Sequence, residues 1–107
     1  MKLTAQLPVT ELTSAEEQLV YALQLLGDRT RFKLFKLLST GQELCVSAIA
    51  AELGISVSAV SQHFRSFEMV GLVHKERAGQ KICYSLREDN YFVRELSKII
   101  NKLMPKS

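Results

Sequence analysis

"ELGISVSAVSQHF", Glu52–Phe64, decides how this chain folds. A helical stretch ends at Gly54, which lacks a Cβ and can take the left-handed turn that stops a helix. Ile55 is a buried turn residue, and Ser56 is a good cap for the next helix because its hydroxyl can accept a first-turn N–H. The spacing predicts a helix from about Val57 to Val70, with Gly71 as its stop. The helix before the turn runs from about Val46 to Leu53, with Ala48, Ile49 and Leu53 turned inward. Helix, tight glycine turn, helix is the helix-turn-helix pattern.

Downstream the period changes. Leu72–Arg77 and Lys81–Leu86 are short β-rich runs, and Ala78-Gly79-Gln80 between them reads as a hairpin loop. Ile82, Tyr84 and Leu86 alternate with Lys81, Cys83 and Ser85, as in a half-buried strand. A final helix from about Asn90 to Met104 has a broad apolar face that includes Phe92, Val93, Leu96, Ile99, Ile100 and Leu103. Upstream, Thr13-Ser14-Ala15-Glu16 has capping-box spacing, and Ala15, Leu19, Ala22, Leu23 and Leu26 recur at helical intervals. Gly27-Asp28 ends that helix and caps another, apolar at Phe32, Leu34, Phe35, Leu37 and Leu38 and polar at Arg29, Arg31, Lys33 and Lys36. Ser39–Glu43 is a turn cluster. Residues 1–12, around Pro8, read as an N-terminal tail, and residues 13–107 as one domain. The expected fold is mainly α with a small β-hairpin: a winged helix-turn-helix with flanking N- and C-terminal helices.

The 107 residues suit a single domain, and 47% apolar residues suit a packed core rather than a disordered chain. A net charge of +3 with a pI near 9.0 permits a nucleic-acid surface without requiring one. The first residues hold no continuous apolar run like that of a secretory signal, and no run is long enough to cross a bilayer. A cytoplasmic protein with no membrane partner is expected, and its two cysteines are not read as a disulfide framework. There is no glycine-rich phosphate loop, no paired-carboxylate motif and no Cys–His arrangement, so an enzyme is not expected.

On a helical wheel, Val60, Phe64 and Phe67 face the core, while Ser58, Ser61, Gln62 and Arg65 lie opposite, with His63 on the flank. Small hydroxyls allow close approach to a major groove; Gln pairs with adenine and Arg with guanine. Ser56 at the helix start joins this set. In the hairpin, His74, Lys75, Arg77, Gln80 and Lys81 concentrate donors, as suits a wing lying along phosphates.

Together, "ELCV" (43–46), "LG-S-S-AVSQH" (53–63), "GLV" (71–73) and "Y-L" (84–86) closely resemble the ArsR/SmtB family of small bacterial repressors. The resemblance covers roughly residues 15–104. It implies a homodimer that binds a double-stranded DNA operator and is released by an inducer, often a metal or metalloid ion and in some members a change in thiol chemistry.

The family's sensor sites fit incompletely. Soft-metal sensors often carry Cys-x-Cys where this chain has Cys45-Val46-Ser47, so only the first thiol is present. The site on the family's last helix would begin at Asp89-Asn90-Tyr91 and continue at Lys102 and Pro105, which cannot complete it. No cofactor is therefore assigned, and a soft metal or metalloid ion at Cys45 is kept as a candidate. Cys45 and Cys83 are the candidate sensor thiols. Cys45 is expected at a helix start, where the dipole favours a thiolate, with a small apolar filler as the plainer reading. Cys83 reads as an inert strand residue. If a short strand at Leu44 pairs with the second hairpin strand, however, the two thiols share one parity, and their oxidation is expected to shift the wing and weaken DNA binding.

Apolar residues on more than one face of the last helix, with a second stripe on the first, point to a homodimer. The leading functional reading is a sequence-specific homodimeric repressor. The alternative is a winged helix used for protein–protein contacts without DNA binding.

Overall fold

The computed structural model describes residues 9–105, so most of the tail assigned to residues 1–12 lies outside the described residues. The first helix, α1 (Ser14–Leu26), opens with the expected capping box. The Thr13 side chain accepts from the Glu16 N–H and the Glu16 carboxylate accepts from the Thr13 N–H. Gly27 closes it, and Asp28 caps α2 (Arg29–Leu38) by accepting from the Arg31 N–H at 3.0 Å. A two-residue strand, β1 (Leu44–Cys45), leads directly into α3 (Val46–Leu53). Gly54 takes φ +66°, the left-handed conformation the turn requires, and Ser56 caps α4 (Val57–Met69) by accepting from the Ala59 N–H.

The hairpin comes next as β2 (Val73–Ala78) and β3 (Lys81–Leu86), and α5 (Tyr91–Leu103) ends the chain of elements. Ala78 pairs with Lys81, so the hairpin loop is Gly79-Gln80, one residue tighter than expected, with Gly79 at φ +64°. The sheet order is β1-β3-β2, antiparallel throughout. This is the winged helix-turn-helix expected from the sequence, with flanking helices at both ends.

The core is assembled where α2, α4 and β3 meet. Phe64 stacks on Tyr84 at 4.5 Å between centroids, and Phe67 meets both Phe64 and Phe35 edge-on. Leu34, Val60, Leu72 and Val93 complete it as fully buried side chains. Two side-chain amides tie α5 to this frame. Asn90 Nδ2 donates to the Gly71 carbonyl at 3.0 Å, and Asn101 Nδ2 donates to the Ser39 carbonyl at 3.2 Å. The two ends of α5 are thereby fixed to the end of α4 and to the end of α2.

Within α3 the inward row is Val46, Ile49 and Ala50, with Leu53 half-buried, whereas Ala48, expected inward, is exposed. The eight-residue sequence VSAIAAEL is apolar on nearly every side, so its hydrophobic phase is poorly defined and the sheet decides it. Among the described residues, no helix is long and apolar enough to cross a membrane.

Candidate nucleic-acid interface

Along α4, Ser58, Gln62 and Arg65 are exposed, while Ser61 and His63 are half-buried. Arg65 Nη2 donates to Gln62 Oε1 at 3.0 Å, so the two long side chains hold one another out from the helix. Ser56 Oγ is committed to its cap, which puts Ser56 at the edge of this surface as a helix-starting group. His63 is near enough to α2 for its charge to act on Asp28. The Asp28 carboxyl is held below its ordinary range first by the Arg31 N–H and also by Arg31 and His63.

The wing residues divide between two faces. Directly opposed residues of an antiparallel pair share a face. Lys75 pairs with Tyr84 and Arg77 with Ile82, so both lie on the face that Tyr84 presents to α4. Lys81, paired with Ala78, and His74, paired with Ser85, lie on the other face, and Gln80 sits in the turn. All five are exposed. Burial pushes the Tyr84 hydroxyl pKa up, Glu68 adds to this, and the Arg65 guanidinium opposes it. The register thus puts Lys75 and Arg77 on the face of the wing turned to α4 and leaves His74 and Lys81 on the other.

Cys45 and Cys83 are Cα partners in the β1–β3 register, 3.7 Å apart, and their sulfurs are joined in a disulfide. Leu44, paired with Tyr84, packs against the core as the parity argument requires. The expectation of two separate cysteines, one a filler and one inert, does not hold. Cys83 is 1% exposed, yet it lies outside the contiguous core, on the opposite face of β3 from Phe64. Cys45 is the N-cap residue of α3, as expected, but its side chain makes no capping hydrogen bond. The two thiols pair across adjacent strands, as the parity argument expected, and β3 keeps its register with both neighbours.

A metal centre fits this arrangement poorly. The bridge removes both thiolates, and among the described residues no group of three or more His, Cys, Asp or Glu stands together as a metal site. Asp89, the one residue at the start of the last helix that matched a family site, is instead paired with Arg87 at 2.8 Å, which holds its carboxyl pKa down.

Comparison with known proteins bears on the fold and the family. Residues 28–75 match the family model described as "Bacterial regulatory protein, arsR family". Over 74 residues the chain is 35% identical to a transcriptional repressor SmtB homolog of Synechocystis, covering 69% of this chain and 55% of that protein. The matched region, residues 28–75, belongs to the ArsR/SmtB family. Its members among curated proteins also include a cadmium resistance transcriptional regulatory protein CadC homolog of Staphylococcus aureus, 32% identical over 61% of this chain and 54% of that one. The chain thus spans about half the length of these relatives. Among solved structures, the transcriptional regulator HlyU of Vibrio vulnificus superposes with a TM-score of 0.72, 27% identity, and coverage of 85% of this chain and 92% of that one.

Proposed function

We propose that this ArsR/SmtB protein is a homodimeric, sequence-specific DNA-binding repressor. The reading is carried by Gln62 and Arg65, exposed and bonded to each other on α4, and by a wing whose exposed Lys75 and Arg77 lie on the face turned to α4. An amide and a guanidinium presented together supply base-edge donors and acceptors, while the wing cations supply phosphate contacts. Ser58 and Ser61 flank them on α4, and Ser56, His63, Gln80 and Lys81 line the periphery.

The dimer is argued from the stripes that α1 and α5 leave uncovered. Leu23 is 53% exposed on α1, and Ile99 and Leu103 are 53% and 76% exposed on α5. A second copy covering these stripes would bury them symmetrically and set two α4 helices on one operator. Work on an operator places the protein in the cytoplasm. The names of its relatives, one a repressor and one a cadmium resistance regulator, favour repression over a pure protein–protein module. A soft metal or metalloid ion at Cys45 belongs only to a chain whose bridge has been reduced, and it would find at most the two sulfurs of this pair.

The test is selection of duplexes from random DNA with the full chain, followed by affinity measurement on the recovered sequence and sedimentation of the free protein. An enriched sequence bound by a dimer is expected. No enrichment, with binding to all duplexes alike, would overturn the repressor reading.

A further inference from the structure

The Cys45–Cys83 bridge takes no direct part in the DNA face, yet it stands where the two DNA-reading pieces join. Cys45 is the residue that starts α3, the first helix of the helix-turn-helix, and Cys83 lies mid-way along β3, the strand that carries the wing. The other β1–β3 pair in register is Leu44 with Tyr84. The strand junction between β1 and the wing is therefore two residue pairs and one covalent bond, beside the Phe64–Tyr84 stack that joins α4 to the same strand.

A permanent bridge would be out of place there. In a reducing cytoplasm, disulfides of mesophilic proteins are mostly transient and redox-active, and the cytoplasmic setting rests on the repressor reading above. The two sulfurs also differ in surroundings. Cys83 is sealed at 1% exposure, whereas Cys45 is half-buried, so solvent reaches the pair from the Cys45 side. The two differ again once parted. The N-terminus of α3 lacks a side-chain cap while the bridge is closed. A freed Cys45 sulfur sits at that helix end, where unpaired N–H groups and the helix dipole favour a thiolate. Reduction thus offers Cys45 a partner that competes with β3.

We propose that the Cys45–Cys83 pair is a thiol–disulfide exchange site for low-molecular-weight thiols, and that the bridged chain is its tight DNA-binding form. A thiolate RS⁻ attacks Cys45 Sγ, the bond to Cys83 Sγ breaks, and Cys83 leaves as a thiolate that takes up a proton. A second RS⁻ attacks the R-bound sulfur of the mixed disulfide and releases Cys45. In sum, one protein disulfide and two RSH give two protein thiols and one RSSR. The bridged chain holds α3 and the wing in one arrangement, so DNA binding bears no cost of ordering them; the reduced chain must bear it.

The experiment equilibrates the full chain in glutathione redox buffers, from fully oxidised to fully reduced. Alkylation and mass spectrometry read the bridge, circular dichroism reads the fold, and fluorescence anisotropy reads affinity for the selected duplex. The bridge should open within the glutathione range through a mixed disulfide on Cys45. Affinity should fall about tenfold with it while the fold persists, a coupling of ordinary size. Cys45→Ser should show the reduced affinity in every buffer. A bridge that survives millimolar reduced glutathione, a chain that unfolds on opening, or equal affinity in both states would overturn the proposal. Should neither state bind any duplex, the repressor reading fails by itself. The exchange site is then judged by hydrogen exchange at the Leu44–Ser47 amides, which must speed up on reduction; unchanged protection would overturn it.

Discussion

Strand β3 has two neighbours held in opposite ways. On one side β2 pairs with it through six residues, closed by a two-residue turn. On the other side β1 pairs through two residues brought from 38 positions away in sequence, and a disulfide seals them. A hairpin bears little loop-closure entropy and forms from local sequence; a remote two-residue strand has almost no hydrogen-bonding gain to set against a long closure. The wing is thus a self-supporting unit, while its attachment to the helix-turn-helix depends on packing and on one bond.

The largest effect should come from the residue both neighbours share. Tyr84 pairs with Leu44 on one side and Lys75 on the other, and its ring lies on Phe64. Tyr84→Ala should lower stability by about 3–5 kcal/mol, the usual cost of removing a buried aromatic ring. Urea unfolding checks this. A loss under about 1 kcal/mol would mean that the sheet does not rest on this stack.

Next comes the bond that distinguishes the two sides. The Cys45→Ala, Cys83→Ala double variant should lose about 2–4 kcal/mol relative to the oxidised chain, as for closure of a loop of this length. Hydrogen exchange should rise at β1 and the first turn of α3 and stay unchanged in the β2–β3 ladder. Equal loss of protection on both sides would show that the hairpin also leans on the bridge.

Third are residues that neither pairing holds. Gln62→Ala and Arg65→Ala should each weaken binding to the selected duplex by about 1–3 kcal/mol, the worth of a base contact. Both side chains are exposed and bonded to each other, so unfolding stability should stay within about 0.5 kcal/mol of the parent. Unchanged affinity in both variants would remove α4 from the reading of bases.

Much of this contrast was legible in the sequence, and the remainder was hidden for physical causes. Caps at Thr13, Asp28, Ser56 and Asn90 are local chemistry, and each caps as its residue type suggests. The parity of Cys45 and Cys83 was readable once a strand at Leu44 was assumed. Their bonding was not, because it depends on redox conditions and on a Cα approach that only the folded sheet defines. The inward phase of α3 failed at Ala48 because alanines flank every side of that helix. The site residues were recognisable by type, yet their division between two wing faces depends on register. The turn proved one residue tighter than the sequence suggested, and a one-residue slip exchanges the faces.

The smallest effect tests that division directly. Lys75 and Lys81 are both exposed wing lysines of equal charge, and sequence reasoning treats them alike. The register puts Lys75 opposite Tyr84, on the side of α4, and Lys81 opposite Ala78, on the side of the disulfide. A duplex lying against α4 meets the first side before the second. Lys75→Ala should therefore lower the slope of log affinity against log salt by about one unit, weakening all duplexes alike, as loss of one phosphate contact does. Lys81→Ala should move the slope by clearly less. Binding isotherms across a salt series, on selected and unrelated duplexes, separate the two. Equal slopes for both variants would mean that the wing twists enough at its tip to bring Lys81 to the phosphates, and that strand register is a poor guide to the DNA-facing side. A changed base preference in Lys75→Ala would instead move this residue from the phosphates to the base edges.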